Sequence, residues 1–330
     1  MTSLRQYQKG IYYYSKALFI YAGLKRYLNQ SFKADLEFKD QTEETYFYHS
    51  PYYNRTKQYM HANHFFGELL CLLRGRRMQK DERRNFANLS SCAPIFDDFF
   101  ENNNDLPHIH QLLIKPNAKD AQNNKEQLAV HFLNNILASL PDKSPFIEAA
   151  KQLFQAQKDS KKQKDAELSE DRLLDISIRK GGYSGLMYSL LLNHSSHKEL
   201  LDIGYDLGSF GQLMDDVFDI YDDRADGIRT FANQAKTVDS LYHIIKETED
   251  AIVKKIKEMN SSQYETSHFL NVFKIFSTTI QLALEQYSEI EKEQGIGPSD
   301  CLLLNRDKWI VDMESKQNIW KLITKSVKKL

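Results

Sequence analysis

Apolar residues recur along this chain at three- and four-residue intervals over long stretches. No stretch alternates apolar and polar positions as a half-buried strand would. The periodicity predicts helices near residues 5–29, 54–75, 82–102, 123–139, 145–157, 168–193, 197–225, 235–259, 263–294 and 300–328. Polar breaks part them at 30–53, 103–122, 158–168, 226–234 and 294–299. The lysine-rich break KDSKKQKDAEL at 158–168 reads as a flexible loop. No internal repeat is evident. The pattern predicts an all-α protein, a bundle of about ten helices forming one domain over residues 1–330.

Composition agrees: glycine (13) and proline (7) are scarce, and 41% apolar residues suffice for a sizeable core. A net charge of −1 gives no global attraction to nucleic acid or anionic membrane, so any charged site must be local. Cys71, Cys92 and Cys301 lie far apart without a CxxC pair. That argues against a disulfide framework or a cysteine zinc site and fits a reducing, cytoplasmic setting. The run IYYYSKALFIYAGL carries Lys16 and lacks a small-residue cleavage site, so no signal peptide is expected. No uncharged apolar run reaches the ~18 residues of a membrane span.

The candidate chemistry is acidic. Residues 95–105 read IFDDFFENNND, which sets Asp97, Asp98 and Glu101 among Ile95, Phe96, Phe99 and Phe100. Charge loses hydration among aromatics, so the acids need a reason to be there. The helix is expected to stop at Asn102–Asn104 and Pro107. A second stretch, 206–227, holds seven aspartates offset by the single Arg224. On a helix with Asp215 at zero, Asp219 falls at about 40°, Asp222 at about −20°, Asp223 at about 80° and Asp226 at about 20°. Gln212 shares that face, and Leu213, Met214, Val217, Phe218 and Ile220 occupy the other. Like charges one turn apart repel, and these crowd toward Gly227, an expected C-cap, where the helix dipole disfavours anions. A multivalent cation would reverse each of these effects, and carboxylate-only ligation suits Mg²⁺. Two such helix ends over an apolar, aromatic-lined cavity would suit an allylic diphosphate, because metal draws off pyrophosphate and a dry pocket shelters the carbocation.

These segments resemble the class I isoprenoid synthases, the all-α family of trans-prenyl diphosphate synthases, terpene cyclases and squalene/phytoene synthases. Asp97-Asp98-Phe-Phe-Glu101 looks like their DDxxD/E motif, and Gln212-Leu-Met-Asp215-Asp216-Val-Phe-Asp219 like QxxDDxxD. The segment ISIRKGGYSGL, with Arg179 and Lys180, is similar to the stretch that holds diphosphate in those enzymes. The match runs from about residue 85 to 230.

The resemblance implies metal ligation by Asp97, Asp98, Glu101, Asp215, Asp216, Asp219 and Asp223, and diphosphate binding by Arg179 and Lys180. It implies Mg²⁺ as cofactor, three ions per site, with Mn²⁺ as substitute. Phe96, Phe100, Tyr183 and Gln212 are the expected substrate-pocket residues, and the expected partner is a small-molecule prenyl diphosphate, not nucleic acid. Homodimers are common in the resembled family.

Elongases follow the first motif with paired arginines and carry an early GKxxRP segment. Here NNNDLPHIHQLL follows, and Arg74-Gly-Arg-Arg77 and Arg83-Arg84 are poor stand-ins. Cyclases place second-motif ligands at i, i+4 and i+8, the spacing of Asp215, Asp219 and Asp223, and they carry an upstream arginine, a role for Arg179 beside Gly181-Gly182, read as a helix break. The reading therefore favours a terpene synthase. A trans-prenyltransferase (elongating or condensing head to head) and a catalytically silent helical binding protein stand as alternatives.

Other metal readings fail on spacing. In the loop that starts at Asp222, Arg224 holds the third EF-hand position and Asn233 the twelfth. Glu265 and His268 form a lone ExxH. The C-terminal KWIVDMESKQNIWKLITKSVKKL reads as a basic amphipathic helix with Trp309, Met313, Trp320, Ile323 and Val327 on one side. It could attach to a membrane surface, pack as a last helix, or close over the site.

Overall fold

All regular structure among the described residues is helical, as the periodicity predicts. The structure is a computed structural model describing residues 4–102, 105–193, 197–259 and 262–328, without the side chains of 4–7, 9, 327 and 328. In chain order the helices are α1 (Leu4–Gln30), α2 (Phe32–Asp35), α3 (Gln41–His49), α4 (Pro51–Leu72), α5 (Lys80–Asn102), α6 (Leu106–Ile114), α7 (Asn124–Ser139) and α8 (Ser144–Ser160). There follow α9 (Glu170–Ser189), α10 (Lys198–Phe218), α11 (Ile220–Ala225), α12 (Phe231–Gln234), α13 (Val238–Glu258), α14 (Gln263–Gln294), α15 (Arg306–Trp309) and α16 (Lys316–Lys328). None of the described helices is long and apolar enough to cross a membrane.

Four helices, α2, α3, α6 and α12, fall inside expected breaks. Asp40 starts α3 by accepting hydrogen bonds from the Thr42 and Glu43 amides, both at 2.9 Å, while the Glu43 carboxylate takes the Lys39 amide at 3.0 Å. The cap is written in the sequence as Asp40 ahead of Gln41-Thr42-Glu43, and the polarity of its surroundings hides it. Pro107, read as a stop, is instead an early residue of α6, where its missing N–H costs nothing, and Asp105 caps the His108 amide at 3.1 Å. Asn103 and Asn104 lie outside the described residues.

The chain divides into two compact units. One comprises residues 19–158 and 186–204. In it α5 packs on α4 and α7, burying Phe86, Phe99, Leu128 and Phe132. The Arg74–Arg77 run is structural here. Arg76 makes two hydrogen bonds to buried Glu82, at 2.6 and 2.8 Å, and Arg77 grips buried Glu68 at 2.6 Å. Cys71, Cys92 and Cys301 are all free and buried.

The other unit comprises residues 1–18, 159–185 and 205–330. Gly181-Gly182 does not break α9, which runs on to Ser189. These glycines instead permit close approach to α10. A Cβ on Gly208 would stand 2.8 Å from the Gly185 Cα and collide with the Gly181 carbonyl oxygen, and one on Gly182 would enter the Tyr205 ring. The crossing lets Ser209 donate to the Ile178 carbonyl at 2.9 Å and brings Ser177 onto Asp216.

The expected loop at 158–168 is also tied down. A 3₁₀ turn spans Lys161–Lys164, and the Arg229 guanidinium donates to the carbonyls of Asp165 at 2.6 Å and Leu168 at 3.0 Å. Gln163 and Arg229 exchange two further 2.9 Å bonds.

The expected helix 300–328 is three pieces: a 3₁₀ turn at Pro298–Leu303, then α15 and α16. Trp309 is 1% exposed and packs on Tyr287, whereas Trp320 is 63% exposed, so they share no face. α16 packs on α14 through Leu322, Ile275 and Leu282, the bundle-packing alternative. The Val327 side chain lies outside the described residues.

The glycine crossing generates a paired prediction. Gly208→Val should cost about 3 kcal/mol or more, seen as a lowered urea midpoint. Gly211→Ala, whose new Cβ meets nothing within 4 Å, should gain about 0.5–1 kcal/mol from the reduced backbone entropy of the unfolded chain.

Candidate functional site

The two acidic clusters belong to different units. The first closes α5. Pro94 sits inside this helix, one turn before Asp97, and Ile95, Phe99 and Phe100 are buried beneath it. Phe100 packs on Phe154 (4.9 Å between centroids), and half-buried Phe96 meets Phe99 edge-on at 5.5 Å. Phe100 is thus a core residue here. Glu101 is exposed to solvent.

Asp97 and Asp98 are held from three other helices. Tyr59 donates a short hydrogen bond to Asp97, Gln157 donates at 3.2 Å, and Arg55 stands 3.8 Å away. Asp98 accepts from Lys125 at 2.7 Å, Tyr52 at 2.9 Å and Asn102 at 3.0 Å. Burial works to raise the Asp98 carboxyl, but the Lys125 and Tyr52 bonds outweigh it and hold the group below the usual carboxylate range. Burial and the same aspartates push the Tyr52 and Tyr59 phenols upward, so both stay protonated donors. An open pocket of about 510 Å³ is lined by Tyr46, Tyr52, Asn123, Asn124 and Lys125, of which Tyr52 and Lys125 bond Asp98.

The second cluster spans the end of α10 and all of α11. Asp219 is the residue between them, with φ −94° and ψ 16°, yet its amide still bonds the Asp215 carbonyl at 2.9 Å and its carbonyl takes the Asp223 amide at 2.8 Å. The helix therefore kinks at Asp219 without losing the turn. Gly227 is left-handed (φ +70°), and the Ile228 amide reaches back to the Asp223 carbonyl at 2.8 Å, the expected C-terminal cap.

Asp216 is turned inward, 5% exposed, and accepts from Ser177 and from Gln212 at 2.9 Å. Gln212 also donates to exposed Asp215 at 3.1 Å. Arg306 forks onto Asp222 at 2.6 and 2.5 Å. Among the described residues the side chains of Asp219 and Asp223 have no hydrogen bond or ion pair. Desolvation, then repulsion from Asp215 and Asp222, pushes Asp219 up to about 6 against the pull of Arg306. Desolvation and repulsion from Asp216, Asp219 and Asp215 push Asp223 up to about 7. Asp216 rises to about 6, mainly by burial, with Ser177, Gln212 and Lys180 opposing.

Arg179 is engaged by Asp159 through two 3.1 Å bonds and by Asp175 at 3.0 Å. Lys180 makes no side-chain hydrogen bond or ion pair among the described residues, and its charge is felt at Asp216 and Asp223. Tyr183 packs edge-on against Tyr205 at 5.2 Å. Among the described residues no three His, Cys, Asp or Glu side chains are gathered where a metal ion would sit.

Sequence reasoning missed Tyr52, Arg55, Tyr59, Lys125, Gln157, Ser177 and Arg306. Tyr52, Arg55 and Tyr59 carry a signal, polar groups at i, i+3 and i+7 on one helical face. Lys125, Gln157 and Arg306 carry none, because they reach the acids only through the fold.

No protein-family model matches the chain, and no curated protein matches it. Among solved structures it is similar to a crystal structure of a dehydrosqualene synthase in complex with ligand, at 15% identity and a TM-score of 0.45, covering 85% of this chain and 98% of that one.

The raised carboxyls predict a pH dependence. Folding raises Asp223 from 3.8 to about 7, so its ionisation opposes folding, and stability is lost as pH climbs through that window. In EDTA, Asp223→Asn should be more stable than wild type by about 1–2 kcal/mol above pH 7, after discounting for solvent. The two chains should melt together near pH 4, as thermal denaturation at a series of pH values would show.

Proposed function

We propose that this chain is a class I isoprenoid synthase that ionises an allylic prenyl diphosphate, and specifically a terpene synthase. Pyrophosphate leaves with the electrons of the broken C1–oxygen bond, and the carbocation cyclises or loses a proton. The observation that carries the reading is the ordered pair of acidic helix ends, Asp97-Asp98-x-x-Glu101 closing α5 and Asp215 to Asp223 closing α10 and α11.

Every candidate ligand is a carboxylate oxygen, the hard donor that Mg²⁺ or Mn²⁺ takes. Desolvation and then repulsion from neighbouring aspartates raise Asp219 and Asp223 against the pull of Arg306 and Lys180, and a bound cation would offset both effects. Mg²⁺ needs only one or two carboxylates when water and phosphate oxygens complete its shell. Bound there, it would stabilise the charge developing on the leaving diphosphate.

Asp97, Asp98 and Glu101 would hold metal at the first motif, and Asp215, Asp219 and Asp223 at the second. Asp216 is better placed to fix Gln212 and Ser177 than to ligate. Lys180 is the readier diphosphate contact, since Arg179 must first leave Asp159. Phe96 and Tyr183 are the expected pocket aromatics still partly exposed.

A second reading, trans-prenyltransferase, has one observation in its favour: Gln212 bridges Asp215 and Asp216 as the QxxDD wording would have it.

Incubation with geranyl, farnesyl and geranylgeranyl diphosphates plus Mg²⁺ should release pyrophosphate and yield hydrocarbons or alcohols. Longer diphosphates on addition of isopentenyl diphosphate would select the prenyltransferase. No pyrophosphate from any substrate, with Mg²⁺ and diphosphate bound, would select a silent binding protein. Asp219→Ala should cut turnover about 100-fold or more if its charge acts in the transition state.

A further inference from the structure

Paired arginines are missing after the first motif, yet two cations reach that motif from elsewhere in the chain. Lys125, from α7, stands 2.7 Å from Asp98 Oδ2, and Arg55, from α4, lies 3.8 Å from Asp97 Oδ2. Tyr52 donates to the same Asp98 oxygen at 2.9 Å, and Asn102 takes Oδ1 at 3.0 Å. A carboxylate oxygen offers two in-plane lone pairs, and both on Asp98 Oδ2 are taken. A metal ion cannot bind that oxygen while the Lys125 ammonium remains.

The displaced ammonium keeps the Phe99 ring, 5.0 Å away, as a neighbour. It also lines the open pocket with Tyr46, Tyr52, Asn123 and Asn124, where an anion arriving from solvent can meet it. A diphosphate supplies the charge that Asp98 gives up.

We infer that Lys125 is an electrostatic latch, holding Asp98 Oδ2 against metal and releasing that oxygen to Mg²⁺ as the ammonium transfers to the diphosphate. The inference rests on the Mg²⁺–diphosphate reading above and adds a positioning residue and an order to it: the anion and the metal help each other bind at this motif. Lys125 acts through Asp98 toward metal and directly toward the anion, so its removal must move the two affinities in opposite directions. A merely structural lysine would move both the same way or neither.

The test is calorimetry on the full chain with Mg²⁺ alone and, separately, with inorganic pyrophosphate in EDTA. Lys125→Gln should bind Mg²⁺ roughly tenfold more tightly and pyrophosphate roughly tenfold more weakly than wild type. Lys125→Arg, which keeps the charge, should stay close to wild type for pyrophosphate and controls for folding. If wild type binds both ligands and Lys125→Gln shifts both affinities together, or shifts neither, the latch is overturned while the broader reading stands. If wild type binds neither, the Mg²⁺–diphosphate reading fails and takes the latch with it.

Discussion

Carboxylates crowded on one short stretch of helix repel one another, and the organisation of residues 206–227 follows from how that repulsion is answered. Asp206 pairs with Lys255, and Asp222 is clamped by Arg306. Asp216 turns away from solvent into hydrogen bonds from Ser177 and Gln212, which requires α9 and α10 to approach closely, and the glycines at 181, 185 and 208 allow that approach. Asp219, which joins α10 to α11, and Asp223, within α11, receive none of these answers. Half-buried Asp223 rises because its charge is desolvated and surrounded by like charges, and Asp219, exposed at its surface, rises with it beside Asp215 and Asp222.

The first acidic cluster shows the opposite state of the same residue type. Asp97 and Asp98 already have two cations and two phenols from α4 and α7, and Asp98 is held low. The first motif is therefore matched by cations from the protein's own side chains, whereas Asp219 and Asp223 of the second make no ion pair among the described residues. A chain whose formal charges nearly cancel overall nonetheless keeps an uncompensated local negative field.

The all-helical class was legible because a 3.6-residue period sustained over twenty or so positions is a strong signal. Both acidic clusters were legible because their members are close in sequence. Pro107 and Asp40 were legible in principle, as a helix-entry residue and a capping acid, but the polarity of their surroundings outweighed them. The double glycine misled in the other direction: its low helix propensity was overridden by tertiary packing of α9 on α10, which needs residues without side chains. The C-terminal segment kept its helical period on paper across the breaks around α15, where backbone carbonyls at Lys308 and Ile310 instead accept from Gln286. Lys125 and Arg306 lie 27 and 84 residues from the acids they bind, and no local pattern announces such partners.

We propose that the second cluster binds Mg²⁺ in exchange for protons held on its raised carboxyls. Calorimetric titration of Mg²⁺ at pH 6.5, in two buffers of different protonation enthalpy, measures that directly. Mg²⁺ binding should expel about one proton per protein, and the expulsion should vanish at pH 8.5, where those carboxyls are already ionised. Binding without proton release at pH 6.5, or no binding at either pH, would contradict it.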